Sequence, residues 1–278
     1  MNAYVAVMYG SNIYLTGALV LGYSLMKTAT NFDRIILVTP DTSTEYKSYL
    51  THFYTHVIDI EYTMVSSNIF SEEATRFRNV FTKLECLALV QYQKIILLDL
   101  DMVIAKNIDH LFTLASPAAC LKKFYVPYGQ KIPGHMICKN DKLVGSINAG
   151  LMLLKPDVDE WNAIKQDIGT DIQIRKYKYP EQDYLSLRYC NQWTSITFNY
   201  NFQFGLTQRV KKYHYKIDDI YVIHYSSSYK PWNDLIGRSI SDDEIAFKKL
   251  HQKYYILWLN IYQHIKKKFE KDGIILPY

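Results

Sequence analysis

The feature that most constrains this chain is the apolar run from Lys94 to Leu98, which stops at Asp99-Leu100-Asp101. Five mostly apolar, β-prone residues read as a strand buried on both faces, as in a parallel sheet. In an extended chain, residues i and i+2 point to the same side. The two carboxylates therefore share one small volume and repel unless a cation lies between them. Ligands of open α/β sheets gather at the carboxyl ends of strands, which is where this pair falls. A lone D-x-D equally serves to cap a turn; the apolar lead-in favours a metal site at a strand end.

The flanking sequence supplies the rest of such a sheet. Residues 3–8 give a first strand, and Tyr9 to Asn12 a turn. A helix is predicted from Leu15 to Lys27, a strand over 34–40, a short helix over 43–52 and a strand over 56–60. This β-α-β-α-β rhythm predicts a Rossmann-like, mostly parallel sheet flanked by helices. The G-x-G-x-x-G fingerprint is missing after the first strand, so neither nicotinamide nor flavin is expected. Residues 80–91 read as a helix carrying Lys83, 107–112 as a short helix, 116–121 as a strand, and 122–142 as a polar active-site loop. Residues 146–156 read as a small-residue turn, Asn148-Ala149-Gly150, entering a strand. A helix spans about 157–175, and another opens at Pro180-Glu181-Gln182-Asp183. Proline and acids there suit a helix N-terminus, which accounts locally for Glu181 and Asp183. A late strand over 219–225 ends near His224, a residue that can complete a metal site beside a carboxylate pair. Ser241 to Glu244 is a capping box opening a C-terminal helix.

Composition narrows the classes. At 278 residues and 49 % apolar content, the chain can bury a large core. A net charge of +5 without a long basic block gives no footprint for nucleic acid. Cys86, Cys120, Cys138 and Cys190 show neither zinc-finger nor disulfide spacing, and a reducing compartment is expected. The N-terminus lacks a basic leader, and no apolar window reaches the roughly 18 residues of a spanning helix. A soluble, cytoplasmic protein is expected.

Six segments, in order, resemble glycogenin and its relatives in family 8 of the retaining glycosyltransferases. They are GALVLGYSL at 17–25, FTKLECL at 81–87, KIILLDLDMVIAKNIDHLF at 94–112, INAGLMLLKP at 147–156, PEQDYL at 180–185 and VIHYSSSYKPWN at 222–233. The resemblance covers residues 3–233. It implies a nucleotide-diphospho-sugar transferase fold of the GT-A type, with residues 1–240 as one catalytic domain and 241–278 as a helical extension packed on it. It implies transfer of a hexose, glucose foremost, from a UDP-sugar to an acceptor hydroxyl on a glycan, glycoprotein or small molecule. Asp99, Asp101 and His224 would hold Mn²⁺, with Mg²⁺ as the substitute. Val7 and Tyr14 would border the uracil. Arg78, Lys83, Asp99, Leu100, Asn148, Ala149 and Gly150 would contact the donor, with Arg76 as the alternative to Arg78, and Lys230 would meet the departing diphosphate. Glu181 and Gln182 would lie near the anomeric carbon, with Glu181 or Asp183 as the nucleophile if the reaction ran by double displacement. A homodimer is compatible with the aromatic, basic tail. The segment 195–210 places no tyrosine at glycogenin's self-glucosylated position. Two rival classes are a haloacid-dehalogenase-type phosphohydrolase, in which Asp99 attacks and Asp101 is acid/base, and a non-catalytic sugar-nucleotide binder.

Overall fold

The structure is a computed structural model that describes residues 1–10, 13–65, 79–140, 142–170, 177–204 and 217–278. Arg76 and Arg78, both donor-contact candidates, lie outside the described residues.

The first half is a parallel wind. Strands β1 (Asn2–Met8), β2 (Asp33–Val38) and β3 (His56–Asp59) pair in parallel, joined by helices α1 (Tyr14–Lys27) and α2 (Thr44–Leu50). Helix α2 starts where Ser43 accepts the Tyr46 N–H. The run that ends in the two aspartates is β4 (Lys94–Leu98), parallel to β1 on its other side. It is central and wholly buried beyond Lys94, as its apolar residues require. The Lys83 segment forms a 3₁₀ helix, Val80–Ala88, and a second short one covers Asp109–Thr113.

Several strands depart from expectation. β5 (Met102–Ile104) begins directly after Asp101, where the sequence pattern signals no strand. Its partner is distant: it pairs antiparallel with β11 (Val222–His224). Beyond β6 (Ala118–Leu121) comes a small hairpin, β7 (Cys138–Lys139) and β8 (Lys142–Leu143). Then β9 (Ile147–Leu154) runs antiparallel between β4 and β6. Asn148-Ala149-Gly150 therefore belongs to the strand and is not a turn before it. Asn148 pairs with Cys120 of β6, and the register then skips Ala149 to Leu151, so the extra residues of the irregularity lie on β9 itself, opposite Ala119 and Cys120. With β10 (Thr194–Ser195) beside β6, the sheet order is β10-β6-β9-β4-β1-β2-β3.

Helices α3 (Val158–Thr170) and α4 (Pro180–Arg188) follow β9. The capping box at Ser241 forms as its spacing predicts, but the tail is two helices: α5 (Asp242–Leu250) and α6 (Gln252–Lys271). His251 breaks them; its N–H is shared between Phe247 O and Lys248 O, and its ring packs on Phe204 and Phe247. Helix α6 presents Tyr255, Trp258, Tyr262, Ile265 and Phe269 to the core that α1 also fills. Many tyrosines are packing residues of this kind, as in the Trp258–Tyr262 stack with ring centroids 5.5 Å apart. Among the described residues no helix is long and apolar enough to cross a membrane.

Candidate active site

The parallel strands β1, β2 and β4 end on one edge of the sheet, and that edge collects the charges. The Asp99 N–H extends the β4–β9 ladder by bonding Gly150 O at 2.8 Å. The direction of Asp99 is thus set by the sheet. Asp101 is held by the next pairing: its carbonyl accepts the Tyr225 N–H at 2.8 Å, just past the β5–β11 ladder. The pairing of β5 with β11 thus carries His224 to Asp101 across more than 120 residues of sequence.

Each aspartate has its own lysine. Lys83 Nζ lies 2.5 Å from Asp99 Oδ1, 3.4 Å from Ala149 O and 3.7 Å from Glu181 Oε1. Lys230 Nζ lies 2.5 Å from Asp101 Oδ2 and 2.8 Å from Tyr225 O. Burial would discharge Lys83, but Asp99 and Glu181 together hold its pKa above the usual lysine value. Asp101 shows the converse. Burial opposes its charge, yet Lys230 keeps its carboxyl well below the ordinary range. Burial pushes Glu181 up; Lys83 pulls it back and Asp99 raises it further.

Asp99, Asp101 and His224 offer ligand atoms that all lie within 4.8 Å of one another. A divalent cation fits this set on chemical grounds, since two carboxylates and an imidazole are the donors that manganese and magnesium sites use. A specific atom also asks for one. Asp101 Oδ1 is buried and takes no hydrogen bond, while His224 Nε2 stands 3.2 Å from it. Gly150 makes the room: a β-carbon there would stand 2.5 Å from His224 Cε1.

The other expected residues have their own local partners. Gln182 is buried, with its amide oriented to donate to Ile147 O at 3.2 Å and accept from Lys122 at 3.1 Å. Asp183, one turn into α4, accepts the Tyr179 N–H at 3.1 Å and so caps its own helix. Val7 is buried in β1 beside Leu37, in the cluster that holds Ala149. Tyr14 opens α1, half-exposed, with its ring edge-on to Trp232 at 5.9 Å. The Leu100 carbonyl lies against α1, where a β-carbon on Gly17 would come within 2.8 Å of it.

Two residues at this edge escaped sequence reasoning. Tyr9 follows β1 directly and is partly buried; burial raises its phenol, Lys83 lowers it, and Glu181 and Asp99 raise it. The strand-end rule that singled out Asp99 applies equally to Tyr9, which reads from sequence only as part of a turn. Asn201 contacts His224 and carries no local signature at all.

The family described as "Glycosyl transferase family 8" matches residues 5–235. The uncharacterized protein R707 of Acanthamoeba polyphaga mimivirus is 69 % identical over 99 % of both chains. Galactinol synthase 2 of Arabidopsis thaliana is 24 % identical over 94 % of this chain and 81 % of its own. Glycogenin of Neurospora crassa is 26 % identical over 85 % of this chain but only 33 % of its own. Among solved structures, the glycosyltransferase GlyE of Streptococcus pneumoniae TIGR4 superposes with a TM-score of 0.60 at 20 % identity, over 100 % of this chain and 66 % of that one. An active-site mutant of LgtC superposes with a TM-score of 0.57 at 15 % identity, over 87 % of this chain and 98 % of that one. At these identities the likeness is one of fold, and the fold is that of the GT-A glycosyltransferases.

Proposed function

The chain belongs to glycosyl transferase family 8, and on that premise we propose that it moves a hexose from a UDP-sugar to an acceptor hydroxyl, with retention and with Mn²⁺. Residues 1–240 form the catalytic unit in this reading and 241–278 a helical extension of it. Membership sets aside the phosphohydrolase reading of Asp99 as a nucleophile. The observation that carries the proposal is the convergence of Asp99, Asp101 and His224 with two lysines at one strand edge.

When bound, a divalent cation at Asp99, Asp101 and His224 would neutralise the diphosphate of the donor. The residues around it do the rest. Lys230 leaves Asp101 Oδ2 and pairs with the departing phosphate, placing a fixed positive charge where negative charge develops. The bond from the anomeric carbon to the phosphate oxygen breaks as the acceptor oxygen bonds the same face. The acceptor's proton passes to the phosphate oxygen that leaves. Lys83 holds the Asp99 carboxylate at the strand end. Glu181 and Gln182 flank the sugar ring, where a carboxylate and an amide oxygen steady an oxocarbenium-like transition state.

The test is UDP release without acceptor across UDP-glucose, UDP-galactose, UDP-xylose and UDP-N-acetylglucosamine, with and without Mn²⁺. The expected result is slow, Mn²⁺-dependent release from one donor that Asp101→Ala abolishes. Binding of UDP without turnover of any donor or acceptor would replace the transferase with a sugar-nucleotide-binding protein.

A further inference from the structure

A buried chain of amides runs from the strand backbone to the imidazole of His224, and its polarity is fixed from one end. The Gly150 N–H donates to Asn148 Oδ1 at 2.9 Å. A backbone N–H can only donate, so the oxygen of Asn148 is pinned to that side. The same oxygen accepts from Asn201 Nδ2 at 2.8 Å. Asn201 must then turn its own oxygen the other way, to His224 Nδ1 at 2.7 Å. An amide oxygen cannot donate, so the proton of the neutral imidazole belongs on Nδ1. Nε2 is left with its lone pair, and it faces Asp101 Oδ1, the buried oxygen without a hydrogen bond.

The backbone holds this chain in place. Asn201 is fully buried, and the segment carrying it is laced to the His224 strand by three bonds of 2.9 Å: Tyr221 N to Asn199 O, Phe202 N to Val222 O, and His224 N to Phe202 O. Neither residue can slide past the other without breaking that lacing.

We propose that Asn201, seated on Asn148, is a positioning residue that locks His224 in the Nδ1–H tautomer and so turns Nε2 into a cation ligand. The proposal rests on the reading of Asp99, Asp101 and His224 as a Mn²⁺ site. In a purely structural role Asn201 would matter only to stability, and any loss of metal binding would track the loss of fold.

The experiment uses the full chain without donor. Mn²⁺ uptake is followed by the electron paramagnetic resonance of free Mn²⁺, the His224 tautomer by ¹⁵N NMR of the ring, and stability by the metal-free melting temperature. Asn201→Leu removes the acceptor for Nδ1–H. Asn201→Asp keeps that acceptor, as a charged carboxylate, and loses the donor to Asn148. Native protein should show Nδ1–H. Asn201→Leu should bind Mn²⁺ about 10–100-fold more weakly, the usual effect of losing a ligand's outer partner. Asn201→Asp should melt lower than native and keep Mn²⁺ affinity within about threefold. The proposal is overturned if Asn201→Leu binds Mn²⁺ like native protein, or if both variants lose affinity in step with their melting temperatures. Absence of uptake by native protein would overturn both this inference and the metal site beneath it. Normal native uptake with an unaffected Asn201→Leu would overturn this inference alone.

Discussion

Replacing Gly150 by alanine strikes the site where space is shortest. The added β-carbon would stand 2.5 Å from His224 Cε1 and 2.9 Å from Met102 Cε. Non-bonded carbons settle about 3.5–4.0 Å apart, so the imidazole must retreat by roughly 1 Å. It has little freedom to do so, being 4 % exposed and bound through Nδ1 to Asn201. Overpacking of this kind costs about 1–3 kcal/mol of stability. Its effect on a cation is larger, because ligand distances tolerate only about 0.2 Å. A displaced Nε2 leaves two carboxylates as protein ligands, and Mn²⁺ affinity should fall about 100-fold, or ~2.7 kcal/mol. Mn²⁺ titration beside urea denaturation of the metal-free protein separates the two effects. If Gly150→Ala is destabilised as expected yet binds Mn²⁺ within about threefold of native protein, His224 is not a ligand and the reasoning fails.

Three other outcomes follow from the packing and charges. Gly17→Ala would drive a β-carbon to 2.8 Å from both Leu100 O and the Trp232 ring, so urea denaturation should show a loss of about 1–3 kcal/mol. Ser241→Ala removes the side-chain half of the capping box and should cost about 1 kcal/mol in the same assay. Arg188 holds the Glu160 carboxylate in a two-pronged pair at 2.7 and 2.8 Å, and this hydrogen bonding lowers the Glu160 pKa below its ordinary 4.5. A depressed carboxyl stabilises the fold above its unfolded pKa and loses that contribution as pH falls through the folded one. Arg188→Leu should therefore lie about 1 kcal/mol below native protein at neutral pH, with the gap closing below about pH 4; a gap that stays constant down to about pH 3 would contradict the pairing.

How much of this was legible beforehand depends on how local each signal is. The strand Lys94–Leu98 and its two aspartates could be read because an apolar run and a sharp polar stop lie within eight residues. The capping box was legible for the same reason, its two halves being three residues apart. Strand β5 was not, since three residues carry no periodicity and its partner lies near Val222. Asn148-Ala149-Gly150 looked like a turn because small polar residues usually mark one. What makes it strand is a continuous β9 whose pairs reach it from both sides, Cys120 of β6 at Asn148 and the Asp99 N–H at Gly150 O. Asn201 was invisible because its role exists only where Asn148 and His224 meet. The tail reads from sequence as one helix because nothing in the residues around His251 breaks helical periodicity.

The packing of α6 on α1 has a consequence for how the protein is made. Helix α1 is buried from Leu15 to Leu25, and its outer side is covered by α6, as where Tyr23 meets His264 with ring centroids 5.5 Å apart. A ribosome releases Lys27 long before it makes Gln252. At about 5–20 residues per second, α1 waits roughly 10–50 s for its cover. Throughout that interval an all-round apolar helix stands half-wrapped on a nascent sheet. Translation speed, and whatever shields the emerging chain, should therefore affect the yield of folded protein.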